Sequence, residues 1–277
     1  ARKQKEAAQA AVEAATEGLR ESEDAVRTGV LLDVSATESR VRLLQGKQAR
    51  LAAEIQISDL TTEMNELLGL PLDTDLVPAE IPEIAPVAQT LPEYLRQALS
   101  RNPELMAARD SVTKAGHGVS AARDEYIPDV SLFARHTYQD GVPFVGNNIG
   151  TFGVQMAWNI FDWGERRSVV GQRRSQLNQA EENLKRIEQR IAVEIGKAFR
   201  KLEQTRALLE VAGEALKLQR ENQRLSADRV KAGTTTRLRH AEAVAAVEKA
   251  ELEELQAALG YRLALAELDR IAGSLVR

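Results

Sequence analysis

The sequence has no cysteine, few aromatic residues, no long apolar run and no excess of basic charge. Without cysteine, a disulfide scaffold, an iron–sulfur cluster and a thiol nucleophile are excluded. No stretch reaches the roughly 18 consecutive apolar residues that indicate a transmembrane helix. The 37 basic and 41 acidic residues among 277 leave a net charge of −4, which provides no overall basic field for nucleic acid. Composition therefore favours a helical protein without a helical membrane span.

The aromatic residues and the prolines are concentrated in two windows. Only 4% of the residues are aromatic, and eight of them lie between Tyr126 and Trp163, together with four glycines. Five of the eight prolines lie between Pro71 and Pro92. Because proline interrupts helices, this second window is predicted to be an extended connector. The first window is chemically unlike the rest of the chain.

Much of the remaining sequence has the pattern of long helices. From Leu177 to Leu202, apolar residues recur at steps of three and four, which is typical of a packed helix pair or coiled coil. Nothing interrupts this pattern between Gly164 and Val230, so we expect one helix of about 67 residues, roughly 100 Å long. Globular helices average about 11–12 residues. The length indicates a fibrous or tunnel-like architecture rather than a compact enzyme.

An internal repeat relates the two ends of the chain at an offset of 204 residues. The strongest block aligns residues 22–29 with residues 226–233, and each block ends in glycine. A glycine after the last turn of a helix can take the positive φ that reverses the chain. Each repeat is therefore predicted to be an antiparallel helical hairpin, although any coiled-coil scaffold would show the same pattern. The residues assigned to the two turns are Gly29 and Asp33, and Gly233 and Arg237.

Two strands of about ten residues, the length a tilted strand needs to cross a bilayer, are predicted at 129–138 and 151–160. The second strand alternates between apolar side chains on one face and polar or small ones on the other. A half-buried hairpin on a soluble core is the alternative, but helices of this length offer no such core. Unpaired strand edges also require other chains to complete the sheet, and a closed barrel would do so.

A membrane-crossing hairpin would have two faces in different surroundings. Apolar side chains of the second strand would face lipid, and the polar ones would face the lumen. The predicted lipid-facing residues are Phe152, Val154, Met156 and Trp158, and the predicted lumen-facing residues are Thr151 and Gln155.

Four short motifs occur in an informative order. They are Asn102-Pro-Glu-Leu105, Tyr126-Ile-Pro-Asp-Val-Ser-Leu132, Trp158-Asn-Ile-Phe-Asp-Trp-Gly164 and the turn Val230–Gly233 followed by Ala241-Glu242. Together they resemble the motifs of the TolC-like outer-membrane efflux and secretion channels, the outer membrane factors. The resemblance extends over nearly the whole chain. It implies a mainly α fold with a β-hairpin, in which very long antiparallel helices form an α-barrel and the strands contribute to a trimeric outer-membrane β-barrel.

The resemblance also implies a division of the chain. Residues 1–70 would be the later helices of a first repeat, 71–92 an equatorial Pro-rich connector, and 93–277 a second repeat. The second repeat would contain a helix at 93–125, a transmembrane hairpin at 129–161 and long helices at 164–230 and 236–273. A complete family member has a hairpin in each repeat, so this chain is expected to be an N-terminally incomplete part of a longer protein.

Location and partners follow from the same resemblance. It implies a homotrimer in the outer membrane of a Gram-negative type of cell, with its helices in the periplasm and its hairpins in contact with lipid. A periplasmic adaptor (membrane fusion) protein would dock at the helix tips, and an inner-membrane pump would drive transport through this passive duct. The assembly would be a tripartite efflux or type I secretion system. Two departures are Trp163 where the family has glycine, and a basic second tip that contains Arg237, Arg239 and His240.

No catalytic constellation is found in the sequence. His117, His136 and His240 lie on different predicted elements, and no two of them have metal-ligand spacing. The carboxylates alternate with Arg and Lys, as on a solvated helix face. We therefore expect no enzymatic activity, no cofactor, no bound metal and no nucleic-acid partner. A soluble coiled-coil scaffold or adaptor with a packed hairpin is the alternative function.

Overall fold

The computed structural model describes residues 1–79, 89–141 and 148–274, which are mainly helical and include one β-hairpin. The elements in chain order are α1 (Arg2–Arg27), α2 (Asp33–Leu68), α3 (Leu91–Arg101), α4 (Pro103–Asp124), β1 (Asp129–Tyr138), β2 (Asn148–Ala157), α5 (Glu165–Lys231) and α6 (Arg237–Ala272). The predicted fold class is confirmed, and α5 alone is 67 residues long. None of the helices in the described ranges combines the length and the apolarity that a membrane-spanning helix needs.

The single helix predicted over 93–125 is wrong, because the chain breaks at Asn102 into two helices. Pro103 is the first residue of α4. It has no N–H to donate back into a helix, and it disfavours helical backbone in the residue before it. Asn102 accordingly has an extended ψ of 122°. Its Oδ1 accepts hydrogen bonds from the backbone N–H groups of Glu104 and Leu105 at 2.9 and 3.2 Å, which caps α4.

The connector predicted over 71–92 is two residues too long at its C-terminal end. Helix α3 begins at Leu91, where Thr90 and Glu93 form a capping box. The N–H and the hydroxyl of Thr90 donate to the same Glu93 oxygen at 2.7 and 2.9 Å. Residues 80–88 of the predicted connector lie outside the described residues.

Strand β2 begins and ends three residues earlier than predicted. The register pairs Asp129, the first residue of β1, with Ala157, the last residue of β2. Pro128 precedes Asp129 and has no N–H for the ladder, so strand pairing stops there. Trp158 therefore lies outside the strand, and the hairpin is four residues shorter than the predicted 129–161.

The described chain forms two compact units. The first contains α1, α2, α5 from Lys197 onward and α6 up to Leu268. Small residues let its helices approach closely: a Cβ added at Gly46 of α2 would lie 3.2 Å from Val12 Cγ2 of α1. Its buried side chains include Ala10, Val12, Ala14, Ala53, Leu202, Leu216, Val247, Ala250, Ala257, Tyr261, Ala264 and Leu268.

One carboxylate joins three helices of this first unit. Glu251 of α6 accepts a hydrogen bond from Lys3 Nζ of α1 at 3.1 Å and another from Arg220 Nη2 of α5 at 2.9 Å. The Arg220 guanidinium and the Lys3 ammonium hold the pKa of Glu251 below its usual value. Hydrogen bonds from Lys3 to Glu6 and Glu251 in turn raise the pKa of Lys3. These charges therefore orient α1 against α5 and α6.

The second unit contains α3, α4, the hairpin, α5 up to Gly196 and the end of α6 from Asp269. Arg190 of α5 forms an ion pair with Glu104 of α4, and Glu188, two residues before Arg190, lies 3.8 Å from Arg109 of α4. The buried side chains of the second unit include Tyr94, Ala98, Leu105, Ala108, Val119, Ala122, Val170, Ile187, Ile191, Ile195, Ile271 and Ala272. Ion pairs and buried apolar side chains thus join α4 to α5.

The internal repeat is visible in local geometry. Helices α2 and α6 are both 36 residues long. The 204-residue offset relates the first residue of α2 to the first residue of α6, and the last residue of α2 to the last residue of α6. The turns that precede these helices have the same hydrogen bonds. In each turn, the N–H of the glycine donates to the carbonyl three residues before it, and the N–H of the next residue donates to the carbonyl five residues before it. Gly29 and Gly233 have φ of 77° and 66°, the positive values that the sequence predicts.

Candidate membrane hairpin and helix tips

One face of the hairpin is an uncovered apolar surface. Directly paired residues of an antiparallel ladder point to the same side, so the even-numbered residues of both strands share a face. Three of the predicted lipid-facing residues lie on it, and Trp158 lies just beyond the strand. The apolar residues of this face are Val130, Leu132, Ala134, Phe152, Val154 and Met156, and the five larger side chains are 60–90% exposed. Which face meets lipid stays a prediction.

The opposite face is mostly polar and contains both predicted lumen-facing residues, Thr151 and Gln155. It also contains a pair that sequence reasoning missed, Phe133 opposite Gly153. A Cβ at Gly153 would lie 3.1 Å from Phe133 Cζ, so the ring lies directly on the glycine backbone. Glycine inside a strand often marks such a close approach, so Gly153 was the signal in the sequence for this contact.

Asp162 holds the turn between β2 and α5. Its carboxylate accepts hydrogen bonds from the N–H groups of Arg166 and Gly164, both at 3.1 Å, and lies 3.2 Å from Arg166 Nε. These donors, with the Arg166 N–H first, lower the pKa of Asp162. The Arg166 guanidinium lies over the Tyr126 ring, 5.7 Å from its centroid, and also donates to the Asn159 carbonyl. This network, which sequence reasoning did not identify, ties the base of the hairpin to α5.

The two helix tips have the same backbone turn but different chemistry. After Gly29 the chain exposes three apolar residues, Val30–Leu32, with Val30 75% and Leu32 79% exposed. After Gly233 the equivalent residues are three threonines. The next position begins a helix in both repeats, with Asp33 in the first and Arg237 in the second. The first tip is therefore apolar and acidic, and the second is hydroxylated and basic.

Equivalent serines bridge the two helices behind each tip. Ser22 Oγ lies 2.7 Å from Ser39 Oγ, and Ser226 Oγ lies 2.9 Å from His240 Nδ1. Because the Ser226 hydroxyl donates its one hydrogen to the Gln223 carbonyl at 2.7 Å, the His240 Nδ1–H is the donor in the second bridge. Sequence reasoning missed both bridges, since nothing in the spacing of a serine indicates its partner.

Very long antiparallel helices and a strand hairpin with an uncovered apolar face are the features that the family resemblance predicts. Residues 94–274 match the family model described as outer membrane efflux protein, and the chain belongs to this family. The resemblance drawn from the sequence motifs is thereby confirmed.

Individual relatives agree with this membership. Protein CyaE of Bordetella pertussis is 29% identical over 186 residues, which are 65% of this chain and 39% of CyaE. The outer-membrane channel OprN has the same fold, with a TM-score of 0.74 and 20% identity over 98% of this chain and 62% of OprN. VceC of Vibrio cholerae gives a TM-score of 0.70 and 18% identity, over 98% of this chain and 66% of VceC. The chain thus spans less than two thirds of each of these proteins.

Proposed function

We propose that the chain is a subunit of an outer-membrane channel, a passive exit duct across the periplasm and the outer membrane of a Gram-negative type of cell. Family membership and the fold shared with OprN support this proposal. The observation that carries it is the hairpin. Its apolar face is uncovered, and in the described chain its sheet has only two strands, so each strand keeps one unpaired edge.

Several protomers joined edge to edge would pair those edges and place the apolar faces against outer-membrane lipid. A homotrimer is the assembly that the family resemblance supports. In it, α5 and α6 would line a periplasmic tunnel together with α1 and α2.

The two tips would dock a periplasmic adaptor protein, and an inner-membrane pump would supply the energy. This assembly is a tripartite efflux or type I secretion system. Because the two tips differ in chemistry, the adaptor would contact the turn at Gly29 through apolar and basic groups and the turn at Gly233 through acidic groups. Reversing the charge of Asp33 or Arg237 should weaken adaptor binding in a salt-dependent way.

We propose no catalytic role, cofactor, bound metal or nucleic-acid partner for the chain. In support, carboxylates of the described helices form pairs along their own helix, such as Lys185–Glu182 and Arg206–Glu210. Such pairs are typical of solvated helix faces.

Cysteine labelling tests the proposed facing, because the chain has no cysteine of its own. We expect a Gln155→Cys variant in the outer membrane to react with a water-soluble maleimide, and a Val154→Cys variant to react only with a lipid-soluble one. Equal reaction of both with the water-soluble reagent would show that the hairpin does not cross the membrane. Recovery of the complete protein in the soluble fraction would support the scaffold alternative instead.

Charge placed on each face provides a second test. Arginine on the lipid face of a membrane strand costs about 2–4 kcal/mol near the midplane. Val154→Arg should therefore reduce assembly in the outer membrane strongly, whereas the matched variant Gln155→Arg on the other face should have a small effect. The amount of protein assembled in purified outer membranes is the measurement, and the reverse order would show that the facing is inverted.

A further inference from the structure

Arg135 is the only arginine or lysine in the two strands of the hairpin, and it lies on their polar face. The register places it directly opposite Thr151, one of the two predicted lumen-facing residues. Its neighbours in β1, Ala134 and His136, point to the other face, because successive side chains of a strand alternate. Arg135 is exposed, and a guanidinium stays charged at any ordinary pH. The hairpin therefore carries one permanent positive charge on the face that is predicted to meet water.

Within the described strands, no group neutralises this charge. The residues that surround Arg135 on the polar face are all uncharged, namely Phe133, Thr137, Ile149, Thr151 and Gly153. In the described part of the chain the Arg135 side chain forms no ion pair. Asp129, the one carboxylate of the two strands, is six residues away in β1, which corresponds to about 20 Å. This separation exceeds the Debye length of about 8 Å at physiological salt, so Asp129 does not offset the charge.

Assembly would multiply this charge at one level of the barrel. Arg135 is the seventh of the ten residues of β1, so it lies beyond the middle of the strand. In the proposed homotrimer each protomer contributes one Arg135 at the same depth, because symmetry places equivalent residues in a ring. Rings of arginine or lysine in a pore favour anions, whereas rings of aspartate or glutamate favour cations.

We propose that Arg135 forms a cationic ring in the lumen of the barrel and that this ring gives the duct a preference for anionic solutes. Low-dielectric walls concentrate the field of such a ring in the pore and raise the local concentration of anions. Solutes with a carboxylate, sulfonate or phosphate group are the class that it favours. This inference rests on the proposed function, because it requires an assembled channel with the polar face inward.

The reversal potential of single channels tests this preference. The complete protein is reconstituted into planar lipid bilayers that separate two KCl solutions at or below about 0.1 M, where the Debye length is about 10 Å or more. We expect Arg135→Gln to lower the ratio of chloride to potassium permeability by about twofold or more, since three charges are lost. Arg135→Lys keeps the charge and should keep the ratio. Adding Gln155→Arg to Arg135→Gln returns a charge to the same face at another depth and should restore most of the ratio.

Chemical modification after assembly separates selectivity from folding. An Arg135→Cys channel should show the reduced ratio, a cationic methanethiosulfonate reagent should restore it, and an anionic one should lower it further. Ala134→Cys, beside it in the chain and on the other face, is the matched control, and neither reagent should change its ratio. The unsubstituted protein, treated in the same way, accounts for any reaction elsewhere in the complete protein.

The outcomes distinguish a failure of this inference from a failure of the proposed function. A conducting channel with the same permeability ratio in the unsubstituted protein and in Arg135→Gln would overturn the cationic ring and leave the exit duct in place. A response at Ala134→Cys but not at Arg135→Cys would overturn the ring as well, because Arg135 would then face lipid. If the complete protein forms no channels in the bilayer, the proposed function itself is wrong.

Discussion

The side chain of Asn102 joins the beginning of α4 to the end of α6, since its Nδ2 donates to the carbonyl of Ile271 at 2.8 Å. The same side chain caps α4 through its Oδ1. One amide, only 8% exposed, thus satisfies two helix ends that are 169 residues apart in sequence.

Asn102→Ala should destabilise the protein by about 2–3 kcal/mol, from a lost cap and an unsatisfied buried carbonyl. The free energy of unfolding in urea is the measurement. Asn102→Ser can still cap α4 but is too short to reach Ile271, so it should recover roughly 1 kcal/mol of the loss. Equal losses in both variants would mean that only the bond to Ile271 matters.

Gly69 and Gly273 occupy equivalent positions of the repeat and differ in their surroundings. Both have a positive φ, of 68° and 75°. A Cβ at Gly69 would meet nothing within 4 Å, whereas one at Gly273 would lie 2.7 Å from the Arg101 carbonyl oxygen. Gly69→Ala should therefore cost about 1 kcal/mol for the backbone alone, and Gly273→Ala about 1–3 kcal/mol more. Unfolding midpoints that shift equally would show that Arg101 moves aside freely.

The Phe133–Gly153 pair predicts a difference between two glycines of β2. A Cβ at Gly150 would enter open space, and one at Gly153 would press on the ring. Gly150→Ala should be neutral or stabilising, because alanine is preferred to glycine inside a strand by roughly 0.5–1 kcal/mol. Gly153→Ala should be less stable than Gly150→Ala by about 1 kcal/mol in thermal unfolding of the reconstituted protein. When Gly150→Ala and Gly153→Ala are each combined with Phe133→Leu, the difference in thermal stability between them should disappear.

Acid should weaken the contact of α1 with α5 and α6. Because the folded-state pKa of Glu251 is depressed, its contribution is present above the usual glutamate pKa and is lost as the pH falls through the lower folded value. The urea midpoint should therefore decrease as the pH is lowered below about 4.3. The decrease should be smaller in the Glu251→Gln variant. An identical pH profile in both proteins would show that Glu251 does not cause the decrease in the urea midpoint.

Several features were decided locally and could be predicted from the sequence. The unbroken apolar period makes α5 one helix, and the glycines at 29 and 233 provide the positive φ of the tip turns. The alternation of β2 separates its two faces. The break before Pro103 was also predictable from the sequence, since proline disfavours helical backbone in the preceding residue.

Other features depend on residues far apart in the chain, and only the tertiary structure decided them. The end of β2 is set by its pairing partner, because Pro128 stops the ladder from the other strand. The crowding of Gly273 by Arg101 and the bonds of Glu251 to Lys3 and Arg220 arise from packing between helices that are remote in sequence. Local propensity and periodicity determine the secondary structure of each segment. Contacts between segments depend on how the segments pack in three dimensions, and no local sequence pattern specifies that packing.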